Sequence, residues 1–258
     1  MIDRLPQALS DRLPGFDPDG AVRVYAQPHF SDLFHAGYVT VPFGVRWKIT
    51  DHIELDAEAR SYFAYGSGPE TGDGISNLTT GVKTEHLLPP IAGGDLSAGV
   101  DFRTPLGQPP LIFTDGYRHL QPYLATTRSL VPRWRLLGYA SLGADLRSHA
   151  DLPSNFGRNQ LHSNTLAFTT GLAREWLRLH VSLTGRIATT ELISRSGRQN
   201  FTLLPEVAVP LRRSFTAPTQ IYFVVGNRTL WGPDGRISTV STSLRFSFQR
   251  ARAQTAKP

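Results

Sequence analysis

Acidic and basic side chains recur at every second position along this chain, and that spacing limits the chemistry they can perform. The densest case is Glu54, Asp56, Glu58 and Arg60, preceded by Arg46 and Lys48. Residues two apart on an extended chain share one face, about 7 Å apart at a rise of about 3.3 Å per residue. That is too wide for three carboxylates to close on one cation, and it suits pairing with bases on a neighbouring strand. Two groups have residue types suited to nucleophilic work. His162, Ser163 and Asn164 open a strand, with His162 and Asn164 on its apolar side, while His180 and Ser182 share a polar face. A serine nucleophile needs a base and a third group that orients the base. Neither place has a carboxylate positioned for that, so no catalytic residue is assigned. The chain has no cysteine. It also lacks a phosphate loop, zinc-ligand spacing and a dinucleotide fingerprint. No metal or cofactor is assigned.

The elements that must carry these charges are strands. In the stretch 38–65, Val39, Val41, Phe43, Val45, Trp47 and Ile49 alternate with Tyr38, Thr40, Pro42, Gly44, Arg46 and Lys48. After Thr50-Asp51-His52 the alternation restarts, with Ile53, Leu55, Ala57, Ala59, Phe63 and Tyr65 against Glu54, Asp56, Glu58, Arg60 and Tyr62. Period-two patterning of this length predicts an antiparallel hairpin with two unlike faces. With Ile49 opposite Ile53, Lys48 faces Glu54 and Arg46 faces Asp56. A one-residue slip would put lysine and glutamate among the valines, so the register is strongly specified.

The pattern persists from Val22 to Phe248 and predicts twelve strands of about 10–14 residues, long against the usual mode of about 5–6. Turn-rich segments separate them, and those after odd-numbered strands are mostly longer. Glu175-Trp176 is read as one of the tight turns, and 231–235 as a loop. The division expected is an irregular lead over 1–20, a barrel over 21–248 and a basic tail over 249–258. The lead has no basic start and apolar core, so it does not read as a secretory signal peptide. No apolar run is long enough for a transmembrane helix. The chain has 258 residues and a net charge of +6, but its bases are interleaved with acids rather than clustered, which argues against nucleic-acid binding.

Strands of this length, alternating apolar and polar, with short and long connections in turn and a last strand ending in Leu244, Phe246 and Phe248, resemble a bacterial outer-membrane β-barrel in the style of small twelve-stranded porins. The fold class expected is therefore all-β, a transmembrane antiparallel up-and-down barrel. The resemblance implies an outer-membrane location, lipid around the apolar face, the barrel-assembly machinery reading the terminal strand, and both chain ends in the periplasm. The extension beyond Phe248 departs from that terminal pattern.

In such a barrel the polar face lines the lumen. It would carry Arg23, Arg46, Lys48, Arg60, Lys83, Arg103, Arg135, Arg147, Arg178, Arg186, Arg228 and Arg245. Against these stand Glu54, Asp56, Glu58, Glu85, Asp95, Asp101, Asp145 and Glu206. Trp47, Trp134 and Trp176 at short-turn ends, Phe63, Tyr65, Phe201 and Trp231 toward long-loop ends, and Phe248 in the last strand suit interfacial aromatic girdles. The function expected is passive diffusion of small hydrophilic solutes, with the excess of bases favouring anions. The same charges can instead pair across the lumen and fill it. The alternatives are a structural or surface-binding barrel, a lipid hydrolase of the outer membrane, or a soluble barrel with its charged face outward.

Overall fold

The computed structural model describes residues 21–29, 38–64, 73–86, 94–106, 116–149, 164–176, 179–189, 199–211, 219–232 and 235–250. The twelve strands are β1 (Val22–Ala26), β2 (Tyr38–Lys48), β3 (Ile53–Ala64), β4 (Asp73–Glu85), β5 (Gly94–Pro105), β6 (Tyr117–Val131), β7 (Leu136–His149), β8 (Thr165–Trp176), β9 (Leu179–Thr189), β10 (Gln199–Pro210), β11 (Thr219–Gly232) and β12 (Gly235–Arg250). Each pairs with its sequence neighbours in antiparallel fashion, and β1 pairs with β12, so the sheet is a closed barrel without an edge. Val22 lies opposite Arg250, so both ends of the strand run meet at one rim. This rim is the terminal end below, and the opposite rim is the distal end.

The alternation decides which face points where. Each strand turns at least one large apolar residue outward. Val24, Phe43, Leu55, Val82, Phe102, Leu120, Leu142, Phe168, Leu183, Phe201, Phe223 and Phe246, one per strand, are all exposed. The buried side chains on the other face include Arg23, Arg46, Lys48, Glu54, Lys83, Glu85 and Arg245. The barrel is thus inverted relative to a water-soluble one. Leaving a Leu or Phe in water rather than burying it forgoes about 1.5–3 kcal/mol per side chain, so a continuous belt of them needs a hydrocarbon environment. The soluble arrangement, with charges outward, is not the one adopted.

The opening hairpin has the register expected. Lys48 lies opposite Glu54 and Arg46 opposite Asp56. Its turn is tied by Thr50, whose Oγ1 accepts from the backbone N–H of His52 at 3.2 Å and of Ile53 at 3.1 Å. Other boundaries differ from the sequence reading. β1 stops at Ala26, before Pro28, which has no N–H to give the ladder. Pairing resumes only as isolated bridges at His29. β8 runs through Trp176, which pairs with Leu179, so Glu175-Trp176 belongs to the strand rather than to a turn. β11 and β12 meet in a tight hairpin closed by Gly232 opposite Gly235, where a loop was expected, and Gly235 has φ +112°. β12 continues to Arg250, two residues past Phe248.

Candidate functional site in the barrel interior

In the terminal half of the barrel, a layer of inward side chains runs round the whole circumference. Arg23, Arg46, Glu54, Lys83, Ser97, Ala125, Tyr139, Ala173, Ser182, Ala208, Tyr222 and Arg245 come one from each strand, and none is more than 8% exposed. At this level the inward side chains are largely out of contact with water.

The charged part of the layer is a chain of ion pairs across β2, β3 and β4. Lys48 Nζ lies 3.0 Å from Glu85 Oε2, Lys83 Nζ 2.8 Å from Glu85 Oε1, and Lys83 Nζ 2.9 Å from Glu54 Oε1. Two ammonium groups and two carboxylates alternate and cancel. All four side chains are at most 5% exposed. Taking such charges out of water is costly, and only mutual pairing offsets it. A second network closes the seam between β12 and β1. Arg245 donates from Nε to Gln27 Oε1 at 3.2 Å and from Nη2 to Glu206 Oε1 at 3.3 Å. Gln27 Nε2 donates to Ser243 Oγ at 2.8 Å.

Three tyrosines in and beside this layer lie across a glycine on the neighbouring strand. Tyr25 lies opposite Gly44, Tyr123 opposite Gly99 and Tyr139 opposite Gly171. The fit is close. A Cβ on Gly99 would stand 2.5 Å from the Tyr123 hydroxyl and 2.7 Å from the Val82 carbonyl. Tyr139 then reaches Thr184 Oγ1 at 2.7 Å.

The distal half is mixed. There the inward residues Thr169, Ala188 and Thr202 are half-buried and Arg60, Arg186 and Arg228 are exposed, whereas Tyr62, Asn77, Tyr117 and His119 on β3, β4 and β6 are buried. The Arg60 side chain is 47% exposed, with Nη2 3.7 Å from Glu58 Oε1. β3 and β9 are six strands apart in a closed order of twelve, so Arg60 and Arg186 stand on opposite walls of the barrel. Arg186 and Arg228 stand on either side of β10. On the wall formed by β5, β6 and β7, Arg103 Nη2 donates to His119 Nε2 at 2.8 Å. His119 Nδ1 then donates to Asp145 Oδ1 at 2.7 Å, the tautomer this network requires. Arg147 Nε is 3.4 Å from Asp145 Oδ2.

Most of the sequence-predicted lumen residues sit on this inner face, but some do not sit as expected. Lys48 is opposite Glu54 in register, yet its ion pair is with Glu85, because β4 brings a carboxylate closer than the facing strand does. Arg135 is not on a strand. It follows the single 3₁₀ turn Pro132–Trp134 with φ 51° and is exposed at the terminal end. Asp56 and Asp101 flank Gly81 on β4, where a Cβ would run into the Asp56 carboxylate. Arg178, Tyr65, His162 and Ser163 lie outside the described residues. Asn164 accepts from the Arg147 backbone N–H at 3.0 Å. Ser182 is buried in β9. Among the described residues, no three His, Asp or Glu side chains are arranged to hold a metal ion.

The aromatic residues fall into two groups on the outer surface. Trp47, Trp134 and Phe248 are exposed near the terminal end, and Phe63 and Phe201 toward the distal end. Trp231 packs 5.3 Å from Phe201 by ring centroid, with the Arg236 guanidinium 5.7 Å over its ring. Trp176 ends β8. His119 and the tyrosine–glycine pairs were missed in the sequence. The parity of β6 places His119 on the polar face beside Tyr117 and Gln121, and that was the signal available. The glycine pairs need the cross-strand register, which a single chain does not display.

No family model matches the chain, and no curated protein matches it at the sequence level. Solved structures do match. An outer-membrane channel from Pseudomonas putida F1 aligns with TM-score 0.59 at 13% identity, over 92% of this chain and 98% of that one. The NanC porin aligns with TM-score 0.54 at 8% identity, over 88% and 98%. The KdgM porin gives 0.52 at 9% identity, over 88% and 99%. The fold is that of outer-membrane porins and channels. The alignments cover nearly the whole of each neighbour at 13% identity or less, so they speak to the fold alone.

Proposed function

We propose that the protein is an outer-membrane channel for passive diffusion of small hydrophilic solutes, with a preference for anions. The observation that carries the reading is the inversion of the barrel: apolar side chains outward on every strand, charged side chains inward. A closed sheet leaves no unpaired backbone edge in hydrocarbon. The aromatic groups at the two ends suit the two membrane interfaces, and the terminal end, with most of the shorter turns, suits the periplasmic side. Lipid surrounds the apolar belt in this reading, and the barrel-assembly machinery inserts the chain. The anion preference rests on Arg60, Arg186 and Arg228, the exposed inward residues of the distal half, since exposed charge is what a permeating ion meets. Lys48, Lys83, Glu54 and Glu85 nearer the terminal end neutralise one another and add little to selectivity.

The complete buried layer of the terminal half favours a second reading, a structural or surface-binding barrel with no through-path. Planar-bilayer recording of the refolded protein separates the two. Discrete conductance steps support the channel. A folded barrel that never conducts, at any applied voltage, supports the second reading. Turnover of a phospholipid or lipopolysaccharide by the refolded barrel would favour the hydrolase alternative instead.

A further inference from the structure

On the outer face of the terminal half, one arc interrupts the apolar belt. Elsewhere the outward positions carry residues such as Val45 and Trp47 on β2, Ile53 on β3, Val181 on β9 and Phe248 on β12. On β6 and β8 they carry Arg128 and Arg174, both exposed. Parity fixes their direction, since Arg128 follows the buried Thr127 and Arg174 follows the buried Ala173. The cross-strand neighbours of Arg128 are both glycines, Gly94 and Gly138, so neither puts a side chain beside it. Arg174 Cζ lies 5.7 Å over the ring of Trp134, which stands in the turn joining β6 to β7 and is 57% exposed. Arg133, in the same turn, is also exposed. Among the described residues no carboxylate lies within ion-pair distance of Arg128, Arg133 or Arg174.

We infer that this arc binds the phosphate of an anionic glycerophospholipid at the membrane interface. The inference needs the barrel to sit in lipid, and it holds whether or not the lumen conducts. An arginine on the lipid-facing side of a barrel is costly at the bilayer midplane and cheap near an interface, so Arg128 and Arg174 mark the interfacial level on this arc. Trp134 suits the same level. Phospholipid phosphates lie there, and arginine is the side chain whose planar fork of N–H donors matches them. Stacking on Trp134 occupies the face of the Arg174 guanidinium and leaves its donor edge available. Leu172 on β8 stands level with Arg128, and Arg174 is one outward position nearer the rim. The two arginines are two strands apart, about 10 Å across the sheet, a gap that two long side chains can close on one headgroup. The arc also has a hydrocarbon side. Leu130, Leu142 and Leu172 are exposed beside the arginines, so the ligand that fits has acyl chains as well as a phosphate.

The chain has four tryptophans, so one can be kept as a local reporter. One chain keeps Trp134 and the other keeps Trp47, with the remaining three changed to Phe. Trp47 is the internal control, exposed at the same end of the barrel on a strand whose outward neighbours are apolar. Each full-length chain is refolded into phosphatidylcholine vesicles containing a minor fraction of phosphatidylglycerol, with heat-shifted gel mobility confirming the fold. Either lipid is then replaced by its counterpart brominated near the headgroup end of the acyl chains. Quenching reads how strongly each lipid associates beside the reporter. At Trp134 we expect phosphatidylglycerol to associate about fivefold or more strongly than phosphatidylcholine, the weight of one surface arginine on an anionic lipid. At Trp47 the ratio should be near one. Arg128→Gln with Arg133→Gln leaves Trp134 and Arg174 stacked and should bring the Trp134 ratio close to that of Trp47. Excess inorganic phosphate should leave the ratio at Trp134 unchanged. An equal preference at the two tryptophans would trace the effect to the net charge of the barrel and overturn the site. So would a preference that survives in the folded double variant, and displacement by inorganic phosphate would overturn the lipid as its ligand. Should the double variant fail to fold, the contrast between Trp134 and Trp47 with all arginines present still decides the matter. None of these results bears on conduction. A Trp134 that neither brominated lipid quenches would overturn the inference together with the membrane placement on which the channel reading stands.

Discussion

The two halves of the barrel interior use the same residue types to opposite ends. In the terminal half, Lys48, Lys83, Glu54 and Glu85 are dry and mutually neutralised. In the distal half, Arg60, Arg186 and Arg228 reach water. Both sets lie on the polar parity of their strands, and nothing in the alternation separates them. What separates them is company. A buried charge must bring its partner, so the terminal half is a stability element whose members are interdependent. An exposed arginine keeps its hydration whether or not it is paired, so Arg60, Arg186 and Arg228 can be changed one at a time.

That contrast predicts effects of very different size. Lys83→Met should be the most damaging, because it leaves Glu54 and Glu85 buried with one lysine between them. We expect a loss of about 3–5 kcal/mol, read as a lower urea midpoint for refolding into micelles. Gly99→Val tests the tyrosine fit in the same half. It forces Tyr123 and the backbone of β4 apart and should cost about 1–3 kcal/mol by the same assay. In the distal half, Arg186→Ala with Arg228→Ala should change stability by no more than about 0.5 kcal/mol per site. The same pair should lower the anion-to-cation permeability ratio several-fold, since a charge met in water at contact distance is worth about 1 kcal/mol. The smallest effect is that of salt. The ratio should fall between 0.1 M and 1 M, as the screening length drops from about 10 Å to about 3 Å, while the unfolding midpoint moves little. A selectivity insensitive to salt would mean that buried charges set it, and the contrast would collapse.

The sequence displayed the fold well because a membrane barrel writes its two faces into alternate residues. The opening hairpin shows this most clearly, since Lys48 opposite Glu54 and Arg46 opposite Asp56 follow from the pattern alone. The pairing partners were less legible. Lys48 bonds Glu85, a residue 37 positions away on β4, and a two-strand argument has no access to that choice. Arg135 has the parity of a lumen residue, but the Pro132 turn ahead of it puts its backbone at φ 51° and delays β7 to Leu136. Trp176 has the look of a turn residue beside Glu175, yet the ladder pairs it with Leu179. His119 was overlooked because β6 reads weakly, with Pro122 and Arg128 interrupting its outward face. Depth along the barrel was not legible at all. Whether an inward arginine is dry, like Arg245, or wet, like Arg186, depends on what the other eleven strands place at its level.

The account's central claim is a charge-selective path through an inverted barrel, and the reversal potential of the reconstituted protein tests it most directly. Across a planar bilayer with a potassium chloride gradient, the account predicts a reversal potential of the sign set by chloride. A potential of the opposite sign, or a folded barrel that passes no current under any condition, would contradict it.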